Sequence, residues 1–98
     1  MKDLGMRYDS AEIKGMVSDL AQKNSANRVI LRPDALHIWE YDKEGNIIKY
    51  NVPEDEMTKK GRRVYCYPEH MADENRWICV LYNEENKIAA QGVQVFPR

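Results

Sequence analysis

Charge of one sign, long apolar runs, cysteine and histidine are all scarce in this 98-residue chain. Fifteen Lys and Arg stand against sixteen Asp and Glu, for a formal charge of −1. Neither half of the chain is a basic or acidic tail, so no global field steers it toward nucleic acid or anionic lipid. The longest apolar run, Trp77 to Tyr82, falls far short of the roughly 20 residues that span a bilayer. Around Lys2, Asp3, Arg7 and Asp9 there is no apolar core of a secretory signal. Cys66 and Cys79 are too few for a disulfide scaffold, which predicts packed thiols in a reducing, cytoplasmic setting. A Cys66–Cys79 bridge stays open if their strands are neighbours.

What is present is a folding pattern. Hydrophobic residues make up 43 % of the chain, with two Trp and six Tyr, too many for a disordered segment. Ile13, Met16, Val17, Leu20 and Ala21 form one stripe at helical spacing, introduced by Asp9 or Ser10 and stopped near Asn24. Asp9 and Glu12 have the separation of a capping box. Strands are expected over 28–32, 35–41, 62–67, 76–82 and 87–96, with another following Gly45. Asp42 to Gly45 carries the chemistry of a type I turn closed by a left-handed glycine, and Asn83 to Asn86 repeats it with Asn in the left-handed place. Pro53, three acids and then two lysines before Gly61 predict a short helix near 53–60. Pro68 to Asn75 reads as an irregular polar loop. The whole chain, 1–98, is expected to be a single α+β domain. In it an N-terminal amphipathic helix covers an antiparallel sheet of five to six strands, open or curled toward a barrel.

Strand alternation then sorts side chains onto two faces. Reading Pro33-Asp34 as a tight turn makes Arg32 oppose Ala35. Val29, Leu31, Leu36, Ile38, Ile48, Tyr50 and Val52 then lie under the helix, with Glu40 at the sheet edge. The opposite face collects Arg28, Ile30, Arg32, His37, Trp39, Tyr41, Ile47 and Lys49, joined by Arg63, Tyr65 and Tyr67. Arginine, tryptophan and tyrosine are the side chains enriched at protein-binding hot spots. The favoured function is therefore a non-catalytic binding, adaptor or inhibitor protein, with Arg32, Trp39, Tyr41, Lys49, Arg63, Tyr65 and Tyr67 meeting another protein. A second layer made by the last hairpin, which is apolar on both sides, would bury that face instead.

Two other readings use overlapping residues. Lys59, Lys60, Arg62, Arg63 and Tyr65 suit single-stranded RNA, with cations on phosphates and rings on bases. Cys66 and His70, four apart, suit a metal or thiol site, although four ligands at usual zinc spacings are not present. No nucleotide fingerprint, zinc-protease motif or nucleophile elbow occurs. No cofactor is expected, and enzyme activity is disfavoured. An apolar sheet face or edge also allows a homodimer.

Overall fold

The computed structural model describes residues 8–34, 36–70 and 73–96. Helix α1, Ala11–Lys23, is followed by strands β1, Arg28–Leu31; β2, Trp39–Asp42; and β3, Ile47–Lys49. Then come a one-turn helix α2, Glu54–Met57, and strands β4, Arg63–His70; β5, Asp73–Tyr82; and β6, Ile88–Val95. All six strands form one open sheet in the order β3-β2-β1-β4-β5-β6. The sheet is mixed rather than antiparallel, because β1 runs parallel to β4 at its centre. It does not close into a barrel. The α+β class, the helix stripe and the short helix agree with the sequence; residues 1–7, which decide whether α1 is the first element, lie outside the described segments.

Ser10 rather than Asp9 caps α1, its hydroxyl accepting from the Ile13 N–H at 3.3 Å. At the other end the Arg62 guanidinium donates to the carbonyls of Asn24 (2.7 Å) and Ser25 (3.2 Å), a cation placed where the helix leaves its acceptors unpaired. Ile13, Val17, Leu20 and Ala21 are buried against Val29, Leu31, Val64, Cys66 and Leu81. Tyr8, a lone aromatic in a polar stretch, fills the same core, its ring 4.8 Å from Trp39 and 5.9 Å from Trp77.

Both hairpin turns form as expected and are built alike. The Asp42 carboxylate accepts from the Glu44 and Asn46 N–H groups, and the Asn83 side-chain Oδ1 from those of Glu85 and Lys87. Gly45 (φ 90°) and Asn86 (φ 67°) occupy the left-handed position. Each hairpin then carries a bulge: Tyr41 opposes Ile47 but Glu40 opposes Lys49, and Tyr82 opposes Ile88 but Leu81 opposes Ala90. One extra residue inverts the face of everything beyond it. Ile48, itself the extra residue, and Tyr50, beyond the end of β3, are exposed rather than in the core, and past the second bulge Val93 and Val95 lie away from Trp77 and Cys79. β6 is an exposed edge, not a strand buried on both sides.

The largest correction concerns β2. Ala35 is outside the described residues, but the strand begins only at Trp39, and Leu31 opposes Trp39 while Val29 opposes Tyr41. The connection is held open by Asp34, whose Oδ1 accepts from the Leu36 and His37 N–H groups at 2.8 and 2.9 Å, with the His37 ring 2.9 Å away. Some desolvation raises the Asp34 pKa, but the His37 ring and these N–H groups outweigh it and leave it below the ordinary aspartate value. The wider loop changes the pairing by an odd number of residues. Trp39 and Tyr41 consequently turn under the helix, Glu40 turns to the opposite face, where it is buried, and Leu36 is left 80 % exposed. The expected loop at 68–75 also belongs largely to strands, with His70 opposite Asp73. This arm extends past β1, so Pro68 leaves no ladder partner on that side without a donor.

Candidate interaction surface

The sheet face away from α1 divides in two. Over β1 and β2 it is covered by α2 and its flanks. Arg28 donates to the Glu56 carbonyl (3.0 Å) and the Lys59 carbonyl, and pairs with Glu40 at 3.2 Å. Lys49 reaches Glu56 at 3.6 Å. Ile30 and Val52 are buried on this side, outside the main core. This small second layer explains why an arginine-rich half of the face is not free for a partner.

Over β4 and β5 no element among the described residues covers the face. Tyr65 and Tyr67 alternate outward from β4, half-buried, with ring centroids 5.5 Å apart. The Tyr65 hydroxyl lies 3.3 Å from the Arg32 Nη1 that donates to it. Ile78 and Val80 oppose them on β5. A cleft of about 380 Å³ runs between this surface and α2, lined by Arg32, Met57, Thr58, Arg63, Tyr65 and Tyr82 among others.

Arg63 forms the base of that cleft and is only 3 % exposed. Its Nη1 donates to the carbonyls of Lys59 (3.2 Å) and Gly61 (3.3 Å), and its guanidinium carbon sits 4.6 Å from the Tyr82 ring centre. Burial, and then the positive charge of Arg28, push its pKa down. Among the described residues no carboxylate lies within ion-pair distance of it. Charge is held here by carbonyl dipoles and a π-face, which leaves the cleft cationic at its floor.

Of the seven residues expected at a protein contact, Arg32, Tyr65 and Tyr67 meet on one accessible surface, with Arg63 beneath them. Lys49 is exposed but paired to Glu56. Trp39 (3 % exposed) and Tyr41 (0 %) are in the core, the Tyr41 hydroxyl donating to the Tyr8 carbonyl at 2.6 Å. Tyr82 was not singled out as a contact residue; its alternation with Val80 and Ile78 on one strand is the signal that places it on this face. The basic cluster is dispersed: Lys59 and Lys60 are exposed, Arg62 caps α1, and Arg63 points under Tyr82.

Cys66 and Cys79 are opposed on neighbouring strands as free buried thiols, their Sγ atoms 2.9 Å apart. Burial, with Cys79 adjacent, pushes the Cys66 thiol well up. His70 is exposed and four residues further along β4, about 13 Å at strand rise, so the two do not form a site. Among the described residues no group of three or more His, Cys, Asp or Glu is gathered for a metal. Nor is any helix there long and apolar enough to cross a membrane.

The buried thiol and the buried Tyr41 hydroxyl, also pushed up by desolvation, set an alkaline limit on stability. Unfolded Cys and Tyr release protons near pH 8.5 and 10, whereas the folded groups retain theirs. The folded state then binds more protons, so stability is complete below about pH 8.5 and falls as pH rises, by up to ~1.4 kcal/mol per unit for each group. Melting temperatures measured from pH 7.5 upward are expected to decline from pH 9; a flat profile through pH 10 would refute the burial argument.

No protein-family model, curated protein or solved structure matches this chain, so the surface of Arg32, Tyr65, Tyr67 and Tyr82 must be interpreted from its own chemistry.

Proposed function

We propose that the domain is a non-catalytic protein-binding module that acts in a reducing compartment such as the cytoplasm, and that it receives its partner on the uncovered half of the sheet. The observation that carries this reading is the Tyr65–Tyr67 pair, centroids 5.5 Å apart, beside Arg32 on a face that no other element among the described residues covers. Tyrosines present large contact area with few rotors to immobilise, and arginine adds forked hydrogen bonds. Half-buried Ile78 flanks Tyr67 on the β5 side, and Val80 is buried beside Tyr65. The scarcity of cysteine, two residues in 98, supports the compartment.

The test compares partners captured by the wild-type domain and by a Tyr65→Ala/Tyr67→Ala variant, followed by affinity measurement on the purified partner. A partner bound by the wild type is expected to lose at least about tenfold in affinity, the effect of one hot-spot side chain. Partners that bind both forms equally would remove the proposal. Fluorescence titration with single-stranded RNA at two salt concentrations addresses the competing nucleic-acid reading. Binding that weakens steeply with salt and requires Lys59 and Lys60 would favour it instead.

A further inference from the structure

The two edges of the sheet are protected very differently. β3 is three residues long, carries a bulge at Ile48 and ends in Lys49, all features that discourage pairing with another chain. β6 is eight residues long, and from Ile88 to Phe96 it contains no charged residue and no proline, in a chain that is 32 % charged. Ile88, Val93 and Val95 are 60, 50 and 64 % exposed. The only irregularity in its pairing with β5 lies at the first residue, Ile88. An edge of this length and composition is a template for one more strand.

We propose that β6 pairs antiparallel with β6 of a second copy, joining two sheets into one of twelve strands. A second copy fits for three reasons. Antiparallel pairing of a strand with itself obeys a two-fold axis normal to the sheet, so the interface closes and needs no other chain. The run 88–96 brings no like charges together in any register centred on the strand. The same geometry carries the Glu84-Glu85 turn of one copy toward the strand end where Arg76, opposite Val95 and already paired with Glu69 at 3.0 Å, stands in the other.

The helix does not obstruct this pairing. α1 packs over β1 and β4, and between it and β6 runs a trough of about 170 Å³ floored partly by Ala90 and Gly92. Under the two-fold axis residues of like parity oppose each other across the seam. Both α1 helices therefore lie on one side, and the two Tyr65–Tyr67 surfaces share the other. The edge is separate from that proposed contact surface, so either assignment can fail without the other.

Sedimentation equilibrium of the full chain from about 1 µM to about 1 mM, the range of weak to moderate association, decides the matter. The mass is expected to double with concentration. Gln91→Lys/Val93→Lys, at two exposed positions, should return it to monomer by opposing like charges across the seam, with an unchanged melting curve at low concentration. Tyr67→Ala should leave the dimer intact. Amide exchange should slow along β6 only at concentrations where the dimer forms. A monomer throughout, or a dimer that the lysines do not weaken, would overturn the proposal.

Discussion

Replacing Gly45 with alanine is expected to destabilise the domain by about 3 kcal/mol, with a loss of roughly 10–20 °C in melting temperature. Two causes act together. At φ 90° a side chain costs about 1–2 kcal/mol by itself. An added Cβ would also stand 2.3 Å from the Lys14 carbonyl oxygen and 3.0 Å from its carbonyl carbon, so the β2–β3 turn or α1 must move. The turn and the helix backbone touch here, and neither is a flexible side-chain tip that can swing aside. Two companions isolate the cause. Gly15→Ala, in the middle of α1 with no atom within 4 Å of the new methyl, should stabilise by up to ~1 kcal/mol. Asn86→Gly, at the equivalent left-handed position of the second turn, relieves the backbone but removes the 3.0 Å hydrogen bond from the Asn86 amide to the Thr58 carbonyl, so its net change should stay within about 1 kcal/mol. Thermal melts followed by circular dichroism are sufficient; Gly45→Ala melting with the wild type would show that the turn does not press on the helix.

Trp39→Ala is expected to cost about 3–5 kcal/mol, a large part of the 5–15 kcal/mol that holds most domains folded. On an exposed sheet face the same truncation would cost well under that, and the loss would appear in binding instead. The position therefore reports directly on which way β2 faces. Trp39 is 3 % exposed and packs on the Tyr8 ring, and truncation opens a cavity that α1 and the sheet cannot close without losing their own contacts. Tyr67→Ala is the matched comparison: half-buried on the open face, it should change stability by less than about 1 kcal/mol. Urea unfolding of both variants gives the answer. A Trp39→Ala protein as stable as the wild type would return that ring to the outer surface.

The contrast between those two residues shows what is legible in a sequence of this kind. Local devices read correctly: the stripe of α1, the Asp42–Gly45 and Asn83–Asn86 turns, and the helix after Pro53 all depend on residues within a few positions of one another. Face assignment fails wherever it passes through a loop or bulge of unknown length. Pro33-Asp34 has the composition of a two-residue turn, yet Asp34 spends its carboxylate on Leu36 and His37 and holds a longer loop, which sends Trp39 and Tyr41 inward. The bulge before Tyr82 repeats the effect for Val93, while Ile48 is itself the extra residue of the first hairpin. Arg32, Tyr65 and Tyr67 keep the face expected of them because none of them lies beyond such a slip. The pairing of β1 with β4 carries no local mark at all, since four mostly apolar residues on each side suit several neighbours. Tyr8 went unnoticed for a related reason: a single ring among polar residues shows no period.

That central pairing has a consequence for how the molecule assembles. Residue i of β1 meets residue i+35 of β4, from Arg28 with Arg63 to Leu31 with Cys66. Each half of the chain contains its own hairpin, and such ribbons close in microseconds. The seam between them must instead bring distant stretches together, with the entropy of a long closure lost before any contact is gained. Acquisition of the native state is thus paced at the middle of the sheet, and early in the process the molecule is two preassembled ribbons searching for one another.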